Sequence, residues 1–448
     1  MLPILVQNVI TNFVSLLDNI MVGQVGTEPM SGVAIVNQLI FVFNLCIFGG
    51  LAGAGIFTAQ YYGKNDSKGV ADTFRAKLYI AAFTSAAFIV VFLLFGEQLI
   101  MQFIHEGEEQ LDMAATLNYG KDYLAVMLIQ IPPFALQQVY ASTLKESGET
   151  LVPMKAGIIA VLVNLVGNYI LIFGKLGAPV MGVVGAAIAT VISRFVECTI
   201  IIIWTHRHRD TNPFVDHAYT TWRIPETLLR QIVVMGLPLL VNELLWSSGM
   251  TVLSQCYSMR GLEVVSAVNI STTVSNLFFC AFFSMGNSIA IIIGLPLGVL
   301  LAVGDEDRKL IAFAVALCAA VGVVMALLAP LIPEIYNTSD HVKHIASQLL
   351  LVSAVMMPVN AFTNSCYFTL RSGGKTIITF VFDSLYLWVL CIPLAFVLSR
   401  YTAMPILRMF ICVQALEIVK CSIGYYLVKS RKWVKDLVSE PEAPAVEF

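Results

Sequence analysis

Met1-Leu2-Pro3-Ile4-Leu5-Val6-Gln7-Asn8-Val9-Ile10-Thr11-Asn12-Phe13-Val14-Ser15-Leu16-Leu17-Asp18-Asn19-Ile20-Met21-Val22-Gly23 is an apolar stretch long enough to cross a bilayer, and it holds a carboxylate. At helical spacing, Asn8, Thr11, Asn12, Ser15, Asp18 and Asn19 recur every three or four residues, so their polar atoms form one stripe on a greasy rod. Such a stripe faces protein or water, not lipid. The stretch has neither a basic leader nor an A-x-A cleavage site, so a retained first helix is expected rather than a removed signal peptide.

The rest of the chain repeats that texture. Its 448 residues are 58% hydrophobic and only 12% charged, with a mean hydropathy of +0.82. No soluble protein of this length is so apolar, and the apolar runs have helical length rather than the ten-residue alternation of a barrel. The expected fold class is therefore an all-α integral membrane protein. Runs of spanning length fall near 1–22, 31–62, 76–96, 114–142, 151–173, 180–205, 229–258, 264–298, 308–333, 342–370, 376–399 and 404–428, giving twelve transmembrane helices.

Most of the 26 Lys and Arg residues collect in alternate loops and in the C-terminal tail, which sets both termini in the cytoplasm of a multi-pass protein of the cell (inner or plasma) membrane. A net charge of −3 gives no reason to expect nucleic acid as a partner; the bilayer and small solutes are the expected partners, and the chain is expected to act as a monomer. The nine cysteines sit in apolar spans without a CxxC pair and read as small core residues. No G-x-x-x-x-G-K-[ST], H-E-x-x-H or G-x-S-x-G motif occurs, so neither nucleotide hydrolysis nor these hydrolytic chemistries are expected.

The two halves resemble each other. At an offset of 235, Pro3 matches Pro238, Val6 matches Val241 and Gly63 matches Gly298, and Gly26–Val33 matches Gly261–Val268 as G-x-E-x-x-S-x-V. At an offset of 226, Thr143–Thr150 matches Thr369–Thr376 as T-L-[KR]-x-x-G-x-T. A tandem repeat with six helices per copy inserts both copies in the same sense. The expected division is 1–205 and 229–428 as two pseudo-symmetric six-helix lobes, 206–228 as a cytoplasmic linker and 429–448 as a cytoplasmic tail. Two such lobes facing one another enclose a cleft, the geometry of alternating access.

Polar groups inside the spans are the candidate machinery. Asp18, if unpaired, either takes up a proton or gains a cation, which makes it an ion switch; the alternative is a structural carboxylate capping a neighbour at the outer interface. Asn164 and Asn168 lie four apart on one face of the fifth span, and either complete an oxygen cage with Asp18 or join two helices by hydrogen bonds. Glu243 in the seventh span and Asp383 in the eleventh are further intramembrane acids. Arg194 with Glu197, and Glu417 with Lys420, are opposite charges three residues apart that can neutralise each other. Met21, Asn37, Trp246, Met250, Phe279 and Met285 are candidates to line an adaptable, largely apolar cavity with aromatic faces for cations.

Asp18-x-x-Met21-Val22-Gly23-x-x-Gly26, Gln60-x-x-Gly63, the run Asn164–Gly174, the following Gly182–Thr190 and Gly236-Leu237-Pro238 together resemble the multidrug and toxic compound extrusion (MATE) transporters over essentially the whole chain. The resemblance implies a V-shaped pair of six-helix lobes that exports organic, often cationic, compounds in exchange for Na+ or H+, with no other cofactor. It implies a cation site at Asp18, Asn164 and Asn168, joined by Tyr123 and Thr190, where Na+ is the candidate metal. It also implies a coupling or drug-binding role for Glu243. Some members carry an acid where this chain has Asn168; the amide leaves fewer titratable groups and disfavours a purely proton-driven, two-carboxylate scheme. The rivals are a lipid-linked oligosaccharide flippase of the same superfamily, which calls for a cationic groove, an intramembrane enzyme and a non-transporting scaffold.

Overall fold

The computed structural model describes residues 6–7, 10, 21–22, 24–25, 27–103, 113–297, 303–336, 339–431, 433–434 and 437–438. Asp18 and most of the expected first span lie outside the described residues. The helices are α1 (Thr27–Gly63), α2 (Ser67–Phe103), α3 (Met113–Glu146), α4 (Leu151–Phe173), α5 (Gly182–Arg207), the short α6 (Phe214–Ala218), α7 (Glu226–Ser258), α8 (Leu262–Leu297), α9 (Val303–Leu328), α10 (Asp340–Ser372), α11 (Thr376–Tyr401) and α12 (Ile406–Lys429). No strand occurs among the described residues. Among the described residues ten helices, α1 to α5 and α7 to α11, are long and apolar enough to cross a membrane. The 24-residue α12 covers the expected twelfth span, with Arg408, Glu417 and Lys420 within it. The fold is thus the all-helical membrane fold read from the hydropathy pattern.

Local sequence explains the ends and interruptions. Gly174, at φ +64°, stops α4 in a left-handed turn, and a Cβ there would meet Val180 Cγ2 at 2.5 Å. Ser339 Oγ caps α10 by accepting from the Val342 amide at 3.3 Å. In α3 a 3₁₀ turn at Leu128–Gln130 precedes Pro132 and Pro133, whose missing N–H groups break the helical ladder. In α11 the backbone widens into π-helical turns at Val381–Leu385 and Leu387–Cys391, a geometry rare outside functional or strained stretches.

The spans are apolar on the outside as well as within. Phe83, Leu94, Leu327 and Val355 are 78%, 64%, 69% and 73% exposed, an arrangement that only a hydrocarbon surrounding makes stable.

The chain forms two compact units. One comprises Val6–Thr58 with Ser67–Gln231, the other Ala59–Asp66 with Ile232–Phe448. In the first, Phe43 packs against Phe88 and Phe134. Lys77, fully buried, is ion-paired with Glu146 and donates to Thr143 Oγ1 at 3.1 Å. The segment 206–228 is tied to this unit: Phe214 of α6 packs on Phe74 of α2, and Arg75 Nε donates to the Ala218 carbonyl. In the second unit α10 is central and packs against α8, α9 and α12, around a core that includes Met285, Ile289, Cys318, Leu350 and Met357.

Candidate functional site

α4 and α5 pack along much of their length in the first unit, and small residues set how near they come. A Cβ on Gly167 would lie 2.9 Å from Ala189 Cβ, and one on Gly185 would lie 2.7 Å from the Leu171 carbonyl. This approach brings side chains on facing sides of the two helices within hydrogen-bond reach. Asn164 Nδ2 donates to Thr190 Oγ1 at 3.1 Å, Asn168 Nδ2 donates to Asn164 Oδ1 at 3.3 Å, and Thr190 Oγ1 donates to the Ala186 carbonyl at 3.0 Å. Asn164 and Asn168 are both buried. Three of the sequence-named residues therefore form one group of amide and hydroxyl oxygens inside an apolar helix pair, the kind of group that serves a hard cation or orients a carboxylate. Tyr123, also buried, donates to Asn37 Oδ1 at 3.3 Å and links α3 to α1.

The second unit carries a different arrangement, built from four helices. Asp383, in the widened part of α11, accepts from Lys420 Nζ of α12 at 2.9 Å through Oδ1 and from Asn242 Nδ2 of α7 at 3.2 Å through Oδ2. Asn242 Nδ2 also donates to the Tyr367 hydroxyl at 3.2 Å, and its Oδ1 accepts from the Ser384 hydroxyl at 2.7 Å. Next to it, Glu243 Oε1 lies 3.6 Å from Arg371 Nη1, and that guanidinium sits over the Phe368 ring at 5.4 Å. Both acids face a fixed cation of the chain itself.

Two expectations about charge pairs resolve differently. Arg194 and Glu197 pair as expected, at 2.9 Å, with Gln137 Nε2 adding a hydrogen bond to Glu197 at 3.0 Å. Lys420 does not pair with Glu417; it goes to Asp383, and Glu417 Oε2 accepts from Thr363 at 3.5 Å. The sequence reading passed over Asn242, Tyr367 and Ser384. Asn242 stands beside Glu243 and about 100° round the helix from it, so the two side chains meet different partners. Its adjacency to an intramembrane acid was the signal available.

The cavity candidates fall in several settings. Trp246 packs edge-on against Phe283 at 6.2 Å, and the Phe279 and Phe282 rings meet at a tilt of 49°, 5.1 Å apart. Met250 is exposed and Met21 half-buried, whereas Met285 is 1% exposed and belongs to the core of the second unit. Among the described residues no group of three or more His, Cys, Asp or Glu is placed to hold a metal ion.

The MatE family profile matches residues 3–170 and 238–397. The two matches begin at Pro3 and Pro238, the prolines that the 235-residue repeat aligns. The chain is 24% identical over 447 residues to "Probable multidrug resistance protein NorM" of Thermotoga maritima, covering 98% of this chain and 92% of that protein. It is 26% identical over 403 residues to "Multidrug resistance protein MdtK" of Pectobacterium atrosepticum, covering 89% and 86%. Among solved structures it resembles the outward-facing conformation of a multidrug resistance MATE family transporter of the MOP superfamily, with a TM-score of 0.84 at 19% identity over 96% of this chain and 95% of that one.

Proposed function

Because the chain belongs to the MatE family, we propose that it is a secondary active transporter that exports small organic cations across the cell membrane in exchange for Na+ or H+. The observation that carries this reading is the pair of matched segments, two copies of one membrane-spanning repeat that together take in most of the chain. The loop charges support cytoplasmic termini, and a single chain holds both copies that alternating access needs.

We assign ion coupling to the first unit. Asp18 is the proposed charge and the oxygens of Asn164, Asn168 and Thr190 are its proposed partners, so that a bound cation or proton neutralises the carboxylate and reshapes the first span. Neutralisation removes the penalty for packing that span against apolar neighbours, which shifts the access of the substrate site. Tyr123 and Asn37 brace the same unit from α3 and α1. In the second unit Glu243 and Asp383 are balanced by Arg371 and Lys420, which supports a pinning role for them rather than capture of the coupling ion. Exposed Met250 and the ring pairs at Trp246 and Phe279 offer apolar and aromatic contact for substrate.

Efflux of ethidium from proteoliposomes under imposed Na+ or pH gradients tests the reading. Export driven by one of these gradients is the expected result, and export that ignores both would refute it. Asp18→Asn is expected to abolish gradient-driven export while the protein still inserts; normal export by that variant would sink the assignment of Asp18.

A further inference from the structure

One face of α2 changes character along its length. Lys68, Asp72, Arg75, Tyr79, Phe83, Val90 and Leu94 follow each other at three-, four- and seven-residue steps and so form a single stripe. Its first turns are ionic. Tyr79 is 47% exposed, and beyond it Phe83, Val90 and Leu94 are exposed apolar side chains on a helix that spans the membrane.

The segment after α5 folds over the ionic end of this stripe and closes a pocket of about 400 Å³, lined by Lys68, Asp72, Arg75, Thr220, Thr221 and Arg223 among others. Arg75 builds the wall. It is ion-paired with Asp72, and its Nε, Nη2 and Nη1 donate to the carbonyls of Ala218, His217 and Arg223 at 3.0, 2.7 and 3.1 Å. Its charge and donors are spent on holding the loop. Lys68 and Arg223 are exposed, and they leave the pocket with a surplus of positive charge. At the rim, Tyr79 donates its hydroxyl to the Trp222 carbonyl at 3.0 Å, the two rings meet edge-on at 6.4 Å, and Trp222 is itself 55% exposed.

An exposed Tyr and Trp side by side mark the depth of a membrane–water interface. The basic pocket lies toward the aqueous side of that mark, with Lys68 roughly 16 Å along the helix axis from Tyr79, and the apolar stripe lies on the hydrocarbon side. Cation, aromatic and aliphatic surfaces thus follow in the order in which a phospholipid presents phosphate, glycerol backbone and acyl chain.

We propose that this pocket is the headgroup site of a bound anionic phospholipid, whose phosphate sits against Lys68 and Arg223 and whose chain runs down the Phe83–Leu94 face. The site rests only on the membrane-spanning fold and stands apart from the coupling residues. Its effect is to fasten the segment between α5 and α7 to the membrane surface, since the lipid and Arg75 hold the same loop from two sides.

The test is native mass spectrometry of the full-length protein, delipidated and then offered phosphatidylglycerol or phosphatidylcholine of the same chain length, with glycerol 3-phosphate as the soluble phosphate ester. The wild type is expected to retain phosphatidylglycerol preferentially. Each Lys or Arg near an anionic surface is worth about a fivefold factor, so Lys68→Gln with Arg223→Gln is expected to reduce that preference by about twenty-fivefold. Lys68→Arg with Arg223→Lys keeps both charges and is expected to keep the preference. Both side chains are exposed, so an unchanged melting temperature certifies that the neutral variant is folded. Equal retention of the two lipids by the wild type, or an undiminished preference in the folded neutral variant, overturns the proposal. Binding of glycerol 3-phosphate as tight as that of the lipid would also overturn it, by assigning the pocket to a soluble ester.

Discussion

Lys420 has two carboxylates to choose from, Glu417 one turn back on its own helix and Asp383 across on α11. It takes Asp383, whose other oxygen is already oriented by Asn242. A same-helix pair is worth a few tenths of a kcal/mol, whereas a mostly buried pair between helices leaves an uncompensated charge when one partner is lost. Lys420→Met alone is therefore expected to destabilise the protein by about 3 kcal/mol, and Lys420→Met with Asp383→Asn by much less, as read from thermal melting in detergent. A double variant no more stable than the single one would contradict the pairing. Which residues are intramembrane acids was legible in the sequence. Which cation answers each was not, because periodicity orders side chains round one helix and says nothing of which neighbouring helix supplies the partner. The hydrogen bond from Asn164 to Thr190 shows the same limit: the four-residue spacing of Asn164 and Asn168 set them on one face, but the fifth span faces the sixth through a stripe that only packing reveals. Thr190→Val keeps the shape and removes the hydroxyl, so gradient-driven export is expected to need a higher ion concentration while stability falls by only about 1 kcal/mol.

Helices in a membrane have no hydrophobic drive to separate from lipid, so their association depends on close approach. Gly167 makes that approach between α4 and α5, and it lies one residue from Asn168 on the turn that carries both amides. Gly167→Val would force the helices apart, and it is expected to impair coupled export as severely as removing a polar group, although it alters none. Gly55 does the same at α1, where a Cβ would sit 2.3 Å from Glu146 Oε1. Gly55→Ala is expected to disturb the buried Lys77–Glu146 pair and lower the yield of folded protein, measured as the monodisperse fraction after extraction. The glycine-rich run around Gly50–Gly55 is plain in the sequence. The carboxylate it accommodates is not, since Glu146 stands at the end of α3, far away in sequence.

Across the whole molecule the repeat is visible in chemistry as well as in spacing. The offset of 235 maps Gln7 onto Asn242, and the offset of 226 maps Gly157 onto Asp383. In the second unit Asn242 bonds Asp383; in the first, a Cβ on Gly157 would lie 2.7 Å from Gln7 Nε2, so the Gln7 side chain occupies the corresponding space. One place of close approach has thus been kept and changed in content, an amide-to-carboxylate hydrogen bond in one copy and a glutamine side chain against a glycine in the other. At the same offset of 226 Arg194 maps onto Lys420, and the two cations answer different acids, Glu197 on the same helix in the first copy and Asp383 across on α11 in the second. The duplication and the span count could be read from the sequence because hydropathy and the Pro and Gly landmarks survive divergence. The side-chain pairings could not, since a pair such as Lys420 with Asp383 joins helices that periodicity treats separately. A first unit with a group of amide and hydroxyl oxygens, and a second whose acids are answered by its own cations, support the proposal that ion coupling belongs to the first. The most direct measurement is ethidium efflux from proteoliposomes under an imposed Na+ or pH gradient, comparing wild type, Asp18→Asn, and Glu243→Gln with Arg371→Gln. Export that follows one gradient, is lost in Asp18→Asn and keeps its gradient dependence in the Glu243/Arg371 double variant is the predicted result. Export indifferent to both gradients, or gradient dependence lost in the double variant and kept in Asp18→Asn, would contradict it.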